Sequence, residues 1–260
     1  MNIGVCMKVT PDTDTRIKIT AGSDGIDPSG VKWIVSPYDM YAVEEAIQTK
    51  ESLGGEVVIF SAGDKSTVTQ LRGGGLALGA DRATIINDPA VLNTDSLGVA
   101  RALAAAIKNE GCELVFCGKQ AIDDDNVQVP AMVAELLGWA QVSFVSDFET
   151  DGTTFKATRS VGGGTVEVVT GNLPAVITAD KGLNTPRYAK LPAIMKAKKK
   201  PVANLSLADI GLSADDVSPG VSVTNYGLPA ARPSGRLIDG DADQQVNELV
   251  RLLREEAKVI

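Results

Sequence analysis

The stretch from Leu114 to Leu137, LVFCGKQAIDDDNVQVPAMVAELL, reads as a buried strand, a polar loop and a helix in immediate succession. The apolar run Leu114 to Cys117 stops at Gly118, and Val129 to Leu137 carries apolar residues at helical spacing. A helix N-terminus presents unpaired backbone N–H groups and the positive end of the helix dipole, a setting suited to phosphate. Gly118 permits close backbone approach, Lys119 can supply charge, and Asn126 or Gln128 can donate side-chain amides. Asp123, Asp124 and Asp125 are compatible with an anion nearby if one caps the helix and the others accept from ribose hydroxyls or backbone groups. From the residues alone, a capped helix start on a surface loop explains the string equally well.

Outward from this stretch the same alternation continues. Ile3 to Met7, Val57 to Phe60 and Ala83 to Ile86 read as further strands, separated by amphipathic segments of helix length at Tyr41 to Ser52, Ser66 to Ala77 and Thr94 to Asn109. That pattern predicts an α/β fold, a parallel sheet flanked by helices, with the loops at the carboxyl ends of the strands lining a ligand crevice. After Trp139 come alternating, β-branched segments: Val142 to Phe148, Thr154 to Ser160, Thr165 to Thr170 and Ala175 to Thr178. With hairpin turns at Asp151-Gly152 and Gly162 to Gly164, they predict an antiparallel extension of the sheet. From Val202 the chain is rich in Pro, Gly, Ser and Asp until a final helix, Asp243 to Glu256. Such a segment cannot build a core of its own and is expected to wrap a partner. The division predicted is a domain over residues 1–201 and a C-terminal arm with its terminal helix over 202–260.

Bulk properties narrow the function. With 260 residues and 44% hydrophobic content the chain can bury one substantial core. A net charge of −8 argues against a nucleic-acid partner. Cys6, Cys112 and Cys117 fit no zinc spacing and there is no His, which argues against a metal centre and against histidine acid–base chemistry. Cys6 reads as a small buried residue rather than a reactive thiol. The N-terminal MNIGVCMKV lacks the apolar core of a signal peptide, and every apolar run falls short of the roughly 20 residues of a membrane span. No membrane insertion is expected; the cytoplasm is the default compartment, or the mitochondrial matrix in a eukaryote.

The one concentration of positive charge lies at the end of the segment Thr178 to Pro201, TADKGLNTPRYAKLPAIMKAKKKP, where Lys196, Lys198, Lys199 and Lys200 crowd together. Asn184, Thr185 and Pro186 read as a turn and Pro192 as a helix interruption, so Leu191 is expected on an ordered loop. Leu191 with Tyr188, Pro192, Ile194 and Met195, rimmed by Lys196 and Lys199, has the make-up of a docking surface for an acidic partner. A solvated basic helix end is the alternative.

Together these strings carry a resemblance. TADKGLNTPRYAKLPAIMKAKKK and GKQAIDDDNVQ, with SPYDMYAVEEAIQTKE at residues 36–51 and LALGADRA at 76–83, resemble segments of electron transfer flavoprotein beta subunits. The likeness covers most of residues 1–201 and continues weakly at SLADIGL, residues 206–212. It implies a Rossmann-like nucleotide-binding sheet holding AMP. The AMP would be surrounded by Cys6, Ser36, Pro37, Tyr38, Asp39 and Ala62, and by Gly118, Lys119, Gln120, Ala121, Ile122, Asp123, Asp124, Asp125, Asn126, Val127, Gln128 and Val129. It further implies a heterodimer with an alpha subunit that holds most of an FAD, with Thr13 and Tyr38 toward the flavin. Residues 178–201 would be the recognition loop for flavoprotein dehydrogenases of the acyl-CoA dehydrogenase type, and electrons would pass on to a quinone-linked acceptor. The chain itself would be an electron carrier subunit with no catalytic group of its own.

Two other readings stay in view. Bifurcating members of the family place a second FAD where others hold AMP and show a DGDT-like string where this chain has Asp123 to Asn126. Asp124 adds bulk and charge where a Gly would admit a pyrophosphate, which favours AMP, although Gln128 to Pro130 departs from the usual AMP-binding pattern. A stand-alone universal-stress-like ATP-binding protein or an adenylating enzyme needs a glycine-rich phosphate loop. Gly73 to Gly75 and Gly162 to Gly164 fall instead in a helix-like segment and a hairpin turn.

Overall fold

The apolar runs of the first half become the centre of one large sheet. The computed structural model describes residues 1–22, 24–232 and 234–260. The chain opens with β1 (Asn2–Cys6), β2 (Val9–Pro11), β3 (Trp33–Val35), α1 (Pro37–Leu53), β4 (Glu56–Ala62), α2 (Thr67–Leu71), β5 (Arg82–Ile86), α3 (Pro89–Leu92), α4 (Ser96–Asn109), β6 (Leu114–Gly118) and α5 (Val129–Leu137). It continues through β7 (Ala140–Thr150), β8 (Thr154–Gly162), β9 (Thr165–Asn172), β10 (Ala175–Ala179), α6 (Leu191–Ala197), β11 (Val202–Leu205) and α7 (Ala242–Arg251). Nine strands join in the order β11-β5-β4-β1-β6-β10-β7-β8-β9, and β2 and β3 form a separate ribbon.

Every residue of β6 and β10 is buried, because helices cover both faces of the sheet. One face packs under α1 through Ala42, Val43, Ala46 and Ile47. The other packs under α4 and α5 through Leu103, Ile107 and Val133. Strands enclosed in this way are almost wholly apolar, which is why they are so easily read in the sequence; the hydroxyl of Thr178 in β10 is satisfied by the Phe144 N–H (2.9 Å). The chain steps from β1 to β4 and β5 on one side, then crosses to β6 on the other. The carboxyl ends of β1 and β6 therefore flank the topological switch point, where open α/β sheets bind ligands.

Three expectations need correction. The antiparallel extension is only β7-β8-β9; β10 pairs parallel with both β6 and β7. The first half of β7 lies beside β10 and the second half beside β8, with a register shift near Phe144, whose φ of 59° puts the bend there. Alternation along β7 reports which face is covered, not the direction of its neighbour, and β10, a short run buried on both faces directly after the hairpin strands, carries no direction signal of its own. The predicted helix Ser66 to Ala77 is α2 followed by a wider π-turn over Arg72–Leu76. There the glycines serve packing: a Cβ on Gly74 would meet Val35 at 2.8 Å, and one on Gly75 would meet Ile59 and Met7.

The boundary at residue 201 also moves. β11 adds Val202–Leu205 in parallel to β5, and Leu207, Ile210 and Val217 are buried against α4 and its neighbours. The sheet domain thus runs to about residue 218, and the exposed apolar stretch begins with Val221 and Val223. Among the described residues no helix is long and apolar enough to cross a membrane. A chain ending after Pro201 loses three buried side chains worth about 1.5–3 kcal/mol each, as well as a strand, from a total stability on the order of 5–15 kcal/mol. It is expected to lose its cooperative melting transition, whereas a chain ending after Gly220 should melt within a few degrees of the full length; thermal denaturation followed by circular dichroism compares them.

Candidate functional site

At the switch point one side chain holds the strand ends together. α1 begins at Pro37, four residues earlier than the sequence pattern suggested, because proline suits the first turn of a helix. That start brings Asp39 into the first turn with its carboxylate buried. Its Oδ2 accepts from the backbone N–H of Lys8 (2.7 Å), just past β1, and its Oδ1 from that of Gly118 (3.0 Å), at the end of β6. Burial pushes the Asp39 carboxyl up to about 7, against the pull of the two backbone donors and of the Lys8 charge. Gly118 is required by this closure. A Cβ there would collide with Asp39 Oδ1 and stand 2.8 Å from the Asp39 nitrogen. The close backbone approach expected of Gly118 is thus made first to the protein's own helix.

The loop after β6 spends its charges internally. Lys119 Nζ pairs with Asp180 Oδ1 (2.8 Å), just past β10, and lies 4.7 Å from the centre of the Tyr38 ring. Lys8 Nζ bridges Asp123 Oδ1 (2.9 Å) and Asp124 Oδ2 (2.8 Å). Burial works to lower the Lys8 pKa, but the two aspartates outweigh it and hold it above the ordinary lysine value. Asp124 also accepts from the Asn126 N–H (3.1 Å), and Asp125 accepts from Gln120 Nε2 (2.6 Å). None of the three aspartates caps α5, contrary to expectation: Gln128 stands at the cap position with no side-chain bond to the helix. Lys8 and Asp180 were not singled out in the sequence. Their signal was positional, a charged residue within two places of the carboxyl end of a parallel strand.

These features leave donors facing the crevice end of the sheet. The first-turn N–H groups of α5 have no side-chain acceptor, and the buried Ser36 Oγ has no hydrogen-bond partner among the described residues. Asp125 and Val127 are left-handed, with φ of 49° and 55°, and a β-branched residue is strained there. Cys6 and Ala62 end β1 and β4. Cys6 is paired in register with Cys117 and both are buried; hydrogen bonding to Cys6, followed by burial, holds the Cys117 thiol well above its usual range. Ala121, Ile122 and Val129 are half-buried, and residues 123–128 are exposed. Such a set of free backbone donors and hydroxyl-compatible acceptors fits a small anionic nucleotide. Thr13 is exposed in the loop after β2, with its hydroxyl on Asp12 (3.4 Å), whereas Tyr38 is half-buried beneath Lys119.

From β10 the chain passes through Asp180 into the basic segment. Pro192 does not interrupt a helix there; it lies in the first turn of α6, where its missing N–H costs nothing. Leu191 opens that helix with 73% exposure, and Tyr188 just before it is 95% exposed. Ile194 and Met195 are also exposed, as are Lys196, Lys198 and Lys199. Lys200 is not part of that rim. Its Nζ donates to the carbonyls of Leu76 (2.9 Å) and Ala80 (2.6 Å), and burial lowers its pKa. In exchange Arg72 donates to the carbonyls of Ala197 and Lys200.

A family model for the electron transfer flavoprotein domain matches residues 25–210. Among curated proteins, the chain is 41% identical over 261 residues to the electron transfer flavoprotein subunit beta of Bacillus subtilis (strain 168), with all of both chains covered. The chain belongs to the electron transfer flavoprotein beta-subunit family. It is also 37% identical to the mitochondrial electron transfer flavoprotein subunit beta of Arabidopsis thaliana, again over the whole of both chains, and 38% identical to the electron transfer flavoprotein subunit beta of Mus musculus over 98% of this chain and 97% of the other. The family match ends near Ile210, so the exposed arm and α7 lie outside it while the full-length relatives span them.

The Asp39 closure has a definite pH signature. Its folded-state pKa lies well above the ordinary aspartate value of 3.8, so its contribution to stability is full below about pH 4 and is lost as the pH rises through 7. Asp39→Asn removes that titration and leaves one backbone N–H without its acceptor, at a cost of about 1–3 kcal/mol. Denaturant melts at pH 5 and pH 8 should show a smaller loss of stability with rising pH in the variant than in the parent.

Proposed function

We propose that this beta subunit pairs with an alpha subunit carrying most of an FAD, holds AMP in the crevice between β1 and β6, and docks flavoprotein dehydrogenases of the acyl-CoA dehydrogenase type on the segment around Leu191. Electrons then leave for a quinone-linked acceptor. The observation that carries the docking part is the display of Tyr188 and Leu191 beside three solvent-facing lysines, on a segment bonded to the sheet domain at one end through Asp180 and at the other through Ala197 and Lys200. An apolar anchor inside a charged rim makes a small interface that exchanges quickly, as an electron carrier requires.

FAD would supply the redox chemistry when bound. This chain's residues do the holding and orienting. The uncapped first turn of α5 would take the AMP phosphate, with Ser36, Asn126 and Gln128 as polar neighbours and the backbone at Cys6 and Ala62 forming the crevice floor. AMP is favoured over a second FAD because Asp124, tied to Lys8, keeps a carboxylate in the loop where a dinucleotide's pyrophosphate would need room. The exposed apolar residues of the arm, among them Val221, Val223, Leu228 and Leu237, are the surface offered to the alpha subunit.

Co-purified with its alpha subunit, the protein should carry one FAD and one AMP per heterodimer; two FAD would replace the AMP assignment, and a colourless ATP-binding monomer would remove the whole reading. Leu191→Ala should reduce electron transfer from the dehydrogenase about tenfold or more, as loss of a buried anchor does, with FAD and AMP contents unchanged. Neutralising Lys196 and Lys199 should slow association and flatten its dependence on ionic strength, measured by stopped-flow flavin reduction across a salt series.

A further inference from the structure

Arg187 lies between the crevice and the exposed anchor and belongs to neither. Its guanidinium spans two carboxylates of α1. Nε reaches Glu44 Oε2 at 2.9 Å and Nη2 reaches Glu44 Oε1 at 2.9 Å, while Nη1 and Nη2 reach Glu51 at 2.6 and 3.0 Å. The Arg187 backbone N–H adds a bond to Glu44 Oε2 at 3.0 Å. Three residues earlier, Asn184 Nδ2 donates to Glu45 Oε2 (2.9 Å) and to the Tyr41 carbonyl (3.0 Å).

Glu44 and Glu45 are adjacent and both buried. Two neighbouring carboxylates out of water are costly unless each is met by a donor or a cation. Burial works to raise the Glu44 pKa, yet the bonds from Arg187 outweigh it and hold the carboxyl below its usual range. The helix therefore needs the segment as much as the segment needs the helix. A guanidinium suits the task because its rigid fork can engage two carboxylates at once, which an ammonium cannot do with the same geometry.

We infer that Arg187 is a positioning residue for dehydrogenase docking: by clamping the segment to Glu44 and Glu51 of α1, it fixes the next residue, Tyr188, and the start of α6 at Leu191 three residues further on, in the arrangement a partner must meet. The inference rests on the docking role proposed above for Leu191. It also ties the anchor to the helix whose first turn, through Asp39, closes the crevice.

The test uses the full heterodimer with Arg187→Gln, Arg187→Lys and Glu51→Gln. The last variant removes the outer half of the clamp without leaving Glu44 buried beside no cation, so it guards against a simple failure to fold. Hydrogen exchange in residues 181–198 should accelerate about tenfold or more in Arg187→Gln, less in the other two, with β1, β4 and β6 unchanged. The KM for the dehydrogenase should rise about tenfold with kcat retained, and Arg187→Gln should add little to Leu191→Ala, since both act through one anchor. Unchanged exchange in 181–198 would overturn the inference, as would losses that add in full. If Leu191→Ala transfers electrons at the parent rate, the docking role falls, and the exchange comparison still decides whether Arg187 orders the segment.

Discussion

A single buried carboxylate closes the middle of this molecule. Asp39 ties the backbone just past β1 to the end of β6, where the chain, having built the sheet outward from β1 through β4 and β5, crosses to its other side. Without it, two neighbouring strand ends would present unpaired N–H groups at the crevice, and α1 would have no fixed seat over them. Gly118 is the matching constraint, since any side chain there would push the first turn of α1 away. The electrostatic cost of burying this carboxylate shows in the raised pKa of Asp39.

From that seat α1 serves two purposes. Its first turn shapes the crevice, and its next turns, through Glu44, Glu45 and Glu51, hold the segment that carries Tyr188 and Leu191. An acidic helix face lying against the protein rather than water would be anomalous without those partners. The strongly negative composition of the chain is therefore partly an inward-facing property, and the net charge says less about its surface than it first suggests.

Much of this was legible in the sequence, and the unequal legibility has physical causes. The central strands could be read because enclosure on both faces leaves continuous apolar runs, and GKQAIDDDNVQ could be read because its place after a strand and before a helix is itself a signal. Strand direction in β7 and β10 could not be read, since neither the alternation of β7 nor the short buried run of β10 encodes the direction of a neighbouring strand. Pro192 reads as a break in the sequence because proline is excluded from a helix interior, yet it is tolerated in the first turn, where α6 has it. The aspartates of the loop suggest a helix cap in the sequence, whereas two of them meet a lysine more than a hundred residues earlier in the chain and none caps α5. Pairings across that separation leave no local pattern; only the positions of Lys8 and Asp180 at strand ends hinted at them.

The exchange between Arg72 and Lys200 has a consequence for the surface it lies beneath. The last carbonyls of a helix draw basic side chains toward themselves, and lysines in a final turn are commonly used as caps. In α6 a distant arginine has taken that office, reaching up from the π-turn to the carbonyls of Ala197 and Lys200. Lys196, Lys198 and Lys199 are thereby released from serving their own helix. Their ammonium groups stand in water, each able to follow an approaching acidic surface, on a backbone that does not depend on them to stay folded.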